Sequence, residues 1–257
     1  MYIKDFKVLK RLGGDKHSTL HLTKRTADGV TYILREIFLG RLPQAARDKV
    51  LQEIRYLGGI QGSPGVPPFR ESFIFDENKS VCIVLEHPPG GSLTDQITQK
   101  KSTGLLFTEP QIWRLLIDLS HALSLMHQSN FHYTTITATN IFIFNKTFRF
   151  GDRSLAQILN PEKSPITAFC PDLIKGPKSD IWFLGLLVLE MMSLLDTKFL
   201  VKNGQVWFDN IIGETVKLYG YSSDLRDVVG AMLNANSDFR PTAEGLGGLS
   251  SVRKWKN

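Results

Sequence analysis

The spacing of apolar positions changes character about a third of the way along the chain. In the first third they fall in short β-rich runs: residues 6–11 and 19–24, then 30–37 after the turn Ala27-Asp28-Gly29, and later 73–75 and 81–85. The glycines and charges of residues 13–16 separate the first two runs as a hairpin signal. One stretch breaks the pattern. Residues 45–57 carry Val50, Ile54 and Leu57 on one face of a predicted helix, which the Gly/Pro-rich connector 58–68 ends. Pro88-Pro89-Gly90-Gly91 then reads as a linker, with Ser92 or Thr94 as the start of a helix. Beyond it the apolar period lengthens to that of helices, over 109–130, 180–195 and 222–233, and no internal repeat is visible. The pattern predicts an α+β, two-lobed chain. A small antiparallel β lobe with one helix spans residues 1–86, and a larger, mainly α lobe spans 87–257.

Composition narrows the class without naming a function. At 257 residues, 42% hydrophobic and 22% charged, the chain has length for a real core and is neither disordered nor fibrous. Its most apolar stretch, 181–195, contains Glu190 and is too short to span a bilayer, so it predicts a buried helix and no membrane partner. The opening residues Met-Tyr-Ile-Lys-Asp-Phe lack the apolar region of a signal peptide. A net charge of +6 and a pI near 9.3 permit acidic partners. The basic residues are scattered with no run of five, which predicts a solvated surface and no nucleic-acid partner. Cys82 and Cys170 sit far apart in apolar contexts, as reduced, buried thiols of an intracellular, cytoplasmic protein.

Several short strings stand in a telling order. Leu85-Glu86 is followed by Pro89-Gly90-Gly91-Ser92-Leu93, and Leu125-Met126-His127 by Asn130. Asn140-Ile141-Phe142-Ile143 comes next, then Cys170-Pro171-Asp172, Asp180-Ile181-Trp182-Phe183-Leu184-Gly185 and Asp238-Phe239-Arg240-Pro241. Together they resemble the eukaryotic protein-kinase domain across essentially the whole chain, closest in flavour to the NIMA-related (NEK) Ser/Thr kinases. The resemblance makes Leu85-Glu86 the hinge. It gives Asp180 and Arg240 structural anchoring roles, with Asp172 as the acid that pairs with Arg240.

The same alignment shows a degenerate catalytic apparatus. The pattern H-R-D-L-x-x-x-N places a carboxylate five residues before an Asn. Here Tyr133-Thr134-Thr135 stands at H-R-D, so the catalytic-base position is Thr135, and the catalytic-loop Lys position is Thr137. A Thr hydroxyl cannot take a proton near neutral pH as a carboxylate does. His132, one position early, reads as a packed or hydrogen-bonded imidazole. The glycine-rich loop becomes Gly13-Gly14-Asp15-Lys16-His17-Ser18-Thr19-Leu20, which keeps the first glycine, sets Asp15 at the second and reads as a plain hairpin. The V-A-x-K segment becomes Tyr32-Ile33-Leu34-Arg35. Arg35 is expected to pair with Glu53, and the larger Ile33 is expected to occupy volume that an adenine ring requires. Asn140 and Asp152 keep the metal-ligand positions, with Asp152 expected in a salt bridge to Arg35 or Arg153. Arg153-Ser154 replaces the Phe-Gly that usually follows, and a short segment, 155–169, carries Ser164 and Thr167 as candidate phosphorylation sites.

By this resemblance Gly13, Ile33, Arg35, Glu53, Glu86 and Phe142 form a vestigial nucleotide-binding set, and Asn140 and Asp152 a vestigial, unused metal pair. The expectation is a pseudokinase that acts as a protein-interaction scaffold or allosteric partner of an active kinase or a cytoskeletal component, with no cofactor. Two alternatives remain: a weak or unconventional ATP-dependent Ser/Thr phosphotransferase built on Asn140, Asp152 and Arg35, and an ATP/Mg-binding but non-catalytic switch.

Overall fold

The short apolar runs of the first third pair in antiparallel order. In the computed structural model, which describes residues 2–3, 5–75, 79–133, 136–152, 159, 170–172, 176–196, 201–202, 205–206, 220–249, 252 and 255, the strands are β1 (Tyr2–Ile3), β2 (Phe6–Gly14), β3 (Ser18–Arg25), β4 (Thr31–Phe38), β5 (Phe69–Phe75) and β6 (Ser80–Glu86). They form one sheet in the order β1-β2-β3-β4-β6-β5. Helix α1 (Gln44–Ile60) lays Val50, Ile54 and Leu57 on Ile37, Val81, Ile83 and Leu85 of one sheet face. The other face carries a smaller cluster of Phe6, Tyr32, Leu34, Cys82 and Val84. Alternation along β4 therefore sends Leu34 one way and Ile33 and Arg35 the other.

Helix α1 runs three residues further than its apolar period predicts. An added Cβ at Gly59 would meet nothing within 4 Å, and one at Gly58 only ordinary contact with Phe69, so both glycines continue the helix. The chain leaves it at Gly62, whose φ of +83° suits only glycine.

The second part of the chain is built around helices α2 (Leu93–Thr103), α3 (Glu109–Gln128), α4 (Pro177–Ser193), α5 (Ser223–Met232) and α6 (Ala243–Gly248). Of the two starts proposed for α2, Ser92 is the one used. Its hydroxyl accepts from the Asp95 backbone N–H while the Asp95 carboxylate accepts from the Ser92 N–H, a reciprocal cap. Helix α4 forms the centre, and every residue from Ser179 to Met192 except Glu190 is buried. A Cβ at Gly185 would lie 2.6 Å from Leu233, so this glycine is what allows α4 to approach the end of α5. No helix among the described residues is long and apolar enough to cross a membrane.

A short hairpin, β7 (Ile141–Phe144) with β8 (Thr147–Phe150), sits beside α3, and two-residue strands Val201–Lys202 and Gln205–Val206 pair further on. None of these was predicted. Cys82 is buried and Cys170 half-buried, both as free thiols. The α+β, two-lobed architecture is the expected one.

Candidate functional site

A cleft of about 410 Å³ opens between the sheet and the β7–β8 hairpin. Leu12, Leu20, Ile33 and Leu85 form its sheet side, and Glu86, His87 and Pro88 its back. Phe142, Phe144, Gly151 and Asp152 close it from below. Register fixes this arrangement: Ile33 on β4 lies opposite Leu85 on β6, so both point into the same space. Ile33 lines the cleft, and about 410 Å³ remains beside it.

The β2–β3 turn joins Leu12 and Leu20, two residues of the cleft wall. Asp15 turns its carboxylate into the turn, where Oδ1 accepts the backbone N–H groups of His17 at 2.8 Å and Ser18 at 3.0 Å. The segment forms the expected hairpin between β2 and β3. Its conformationally demanding residue is Gly14 rather than Gly13. Gly14 has a φ of +145° and a Cβ there would stand 2.6 Å from the Ser18 carbonyl, whereas one at Gly13 would meet nothing within 4 Å.

Arg35 reaches across the cleft to Asp152. Its Nε donates to Asp152 Oδ2 and its Nη2 to Oδ1 at 3.1 Å, a two-pronged pair, and Nη1 donates to Ser18 Oγ at 3.2 Å. The side chains are only 13% and 14% exposed. Burial alone disfavours the Arg35 charge. The Asp152 carboxylate outweighs it, and the guanidinium is held above its ordinary pKa. The pairing expected between Arg35 and Glu53 is thus corrected: the fork goes to Asp152, which matches both of its prongs. Glu53 is buried on α1. Of the two partners weighed for Asp152, Arg35 is paired with it, and Arg153 lies outside the described residues.

The remaining predicted positions separate into groups. Asn140 Nδ2 donates to Thr137 Oγ1 at 3.0 Å, and Thr137 Oγ1 lies 2.9 Å from Thr139 Oγ1, so the amide is engaged within its own loop. Glu86 meets Arg70 at 2.9 Å and Arg149 at 3.8 Å, which ties the back of the cleft to β5 and β8. Phe142 lines the floor. Thr134, Thr135, Arg153, Ser154, Ser164 and Thr167 lie outside the described residues.

Below the cleft, Asp180 fixes the approach to the Thr135 position. Its Oδ2 accepts Tyr133 N–H at 2.9 Å and lies 2.9 Å from His127 Nε2, with the aspartate fully buried. Tyr133 in turn donates its hydroxyl to the Gly151 carbonyl at 3.2 Å and packs on Phe150 with ring centroids 4.2 Å apart. This residue, which the motif alignment treats as a lost His, links the loop to the segment carrying Asp152. Asp118 was also missed. It sits on the buried face of α3 and accepts Phe148 N–H at 2.8 Å; burial, despite that bond and Arg114, pushes its carboxyl above the ordinary range. A carboxylate among Leu115, Leu116 and Leu119 was the available signal.

Arg240 and Asp172 form the expected pair. Nη1–Oδ2 is 2.7 Å and Nη2–Oδ1 2.8 Å, with the guanidinium over the Trp182 ring at 4.8 Å and donating to the carbonyls of Asn234 and Lys178. Burial opposes ionisation of Asp172, but the bonds from Arg240 and Ser179 outweigh it and hold its carboxyl below the ordinary range.

Comparison with known proteins matches this architecture. The sequence pattern of the protein kinase domain covers residues 6–247. The chain is similar to serine/threonine-protein kinase Nek3 of Oryza sativa subsp. japonica, 26% identical over 257 residues that take in 95% of this chain and 43% of that protein. It is likewise 26% identical to serine/threonine-protein kinase Nek7 of Arabidopsis thaliana, over 94% of this chain and 44% of that one. It is 27% identical to serine/threonine-protein kinase Nek1 of Mus musculus, over 93% and 20%. The chain spans less than half the length of each of these three relatives.

Proposed function

We propose, from the premise that this chain belongs to the protein kinase domain family, that it is a catalytically silent, NEK-type module that works by binding a protein partner. The observation that carries the reading is the Arg35–Asp152 pair: a guanidinium occupies both oxygens of the carboxylate at the family's metal-ligand position. Phosphoryl transfer depends on positioning and on cations that neutralise developing charge. Here that carboxylate is already neutralised by the protein, and the sequence supplies Thr135 and Thr137 where a base and a Lys stand in active relatives. Removal of a general base costs ~10²–10⁴-fold, and of an electrostatic stabiliser ~10²–10³-fold. The partner proposed is an intracellular protein, an active kinase or a cytoskeletal component.

The open cleft favours one addition. With about 410 Å³ bordered by Leu12, Leu20, Ile33, Leu85 and Phe142, the site has the size and apolar walls of a small-molecule pocket. It supports a reading in which a nucleotide binds without being turned over.

The test is a radiolabelled phosphotransfer assay on a generic protein substrate with Mg²⁺ or Mn²⁺, run on the chain and on Thr135→Asp. Both are expected at background, because the variant leaves Arg35 on Asp152. Turnover by the unaltered chain at ~1 s⁻¹ or above, within the usual kinase range, would overturn the silent reading.

A further inference from the structure

Away from the cleft, three side chains able to bind a metal converge. His127 lies in the last turn of α3, His132 in the segment that follows, and Asp180 in the first turn of α4. One nitrogen of each imidazole and one oxygen of the carboxylate all lie within 4.8 Å of one another. His127 Nε2 is 2.9 Å from Asp180 Oδ2, and the two imidazole rings stand 6.0 Å apart, tilted by 60°. The point of convergence is well sheltered: Asp180 is fully buried and His127 only 11% exposed. His132 Nδ1 is buried too, and it has no hydrogen-bond partner among the described residues. A buried ring nitrogen that has lost water and gained nothing is a costly arrangement unless something else satisfies it.

We propose that His127, His132 and Asp180 form a three-ligand site for a divalent transition metal of the zinc class. Two imidazoles and one carboxylate are a donor set that suits Zn²⁺, with a fourth position left for water. Mg²⁺ and Ca²⁺ favour all-oxygen sets, so they fit poorly. Bonds of about 2.0–2.2 Å in a tetrahedral site place the donor atoms about 3.4 Å apart. His127 Nε2 and Asp180 Oδ2, now 2.9 Å apart, separate by about 0.5 Å to reach that spacing as the metal replaces their hydrogen bond. The contraction falls to His132, whose two side-chain torsions swing the ring inward. Asp180 keeps the Tyr133 N–H throughout, because a carboxylate accepts from a donor and a metal together.

None of the three residues lines the cleft, so the site is independent of whether the cleft holds a nucleotide. Once filled, it would clamp the end of α3, the segment through Tyr133 and the start of α4 to one point. The loop leading to Thr135 would then be held by a metal as well as by the Tyr133 N–H bond to Asp180.

The experiment strips the purified chain with a chelator, then titrates it with ZnCl₂ by calorimetry and thermal melting, and with CoCl₂ by visible absorption. One tight equivalent is expected, with a rise in melting temperature and the intense cobalt bands of a four-coordinate site. His132→Leu keeps the His127–Asp180 bond and an apolar filling. It is expected to melt like the parent without metal and to bind at least ~100-fold more weakly, since even outer-shell changes cost 10–100-fold. His132→Cys, which returns a zinc donor to the same place, is expected to recover the tight equivalent. Absence of a tight equivalent in the parent chain overturns the proposal. So does unchanged affinity and stoichiometry in His132→Leu, which would assign binding to the other histidines.

Discussion

Arg240→Ala is expected to lower the unfolding free energy by ~3–5 kcal/mol, the usual cost of removing one partner from a buried ion pair. The guanidinium side chain has no exposed surface, forks onto Asp172, covers the Trp182 ring and satisfies several carbonyls at once. Alanine leaves the half-buried Asp172 carboxylate without its cation, carbonyls without donors and a void beside the central helix. For a domain of this size each kcal/mol moves the melting point by roughly 2–4 °C, so a fall on the order of 6–20 °C should appear in a thermal scan. A loss under ~1 kcal/mol by urea titration would mean that the pair does not anchor the fold.

The same pair sets an acid limit. Asp172 has its folded-state pKa held below the ordinary 3.8, so below that value the unfolded chain binds more protons than the folded one. Its contribution is complete above about pH 4 and is lost as pH falls through the lowered folded value. The stability gap between the parent chain and Arg240→Ala should accordingly narrow below about pH 4.

The second large effect concerns metal dependence. With both Asp152 oxygens engaged by Arg35, a nucleotide entering the cleft is expected to raise the melting point equally in Mg²⁺ and in EDTA. Arg35→Met keeps most of the apolar stem and removes the fork, freeing a carboxylate that suits Mg²⁺ well. At one hundred times its dissociation constant, ATP should stabilise this variant by ~2.7 kcal/mol with Mg²⁺ and by clearly less with EDTA. The variant's own baseline should fall, because Asp152 is only 14% exposed and loses its partner. A parent chain whose shift requires Mg²⁺ would show that Asp152 takes metal despite Arg35. No shift under either condition would remove nucleotide binding from the reading.

Much of this was legible in the sequence, and the failures have physical causes. Alternation located the strands, and the buried helix around Trp182 was visible as a long apolar run. Asp172 and Arg240 could be paired because motif order fixed them independently of local structure. Arg35 was harder. Its partner lies 117 residues away, and local spacing favoured Glu53 on the neighbouring helix. The choice depends on which carboxylate presents both oxygens to the guanidinium, a property of the assembled cleft. For Ile33, side-chain size was readable, but the room beside it depends on where β7 and β8 stand. That hairpin went unseen because its strands are four residues each, and its turn uses Asn145 and Lys146 in left-handed conformations instead of glycine.

Helix α4 carries a consequence for how motion distributes through the chain. Its flanks are pinned at separate points: Asp180 to the loop at Tyr133, Trp182 under Arg240, and Gly185 against Leu233. With nearly every side chain buried, it offers no step by which part of it can open alone. Its central amides are expected to meet solvent only when the whole domain unfolds, whereas the β2–β3 turn, held by the Asp15 carboxylate, is expected to open locally. The chain is thus a stiff core with a soft edge beside the cleft. A partner gripping the helical part takes hold of the region that moves least.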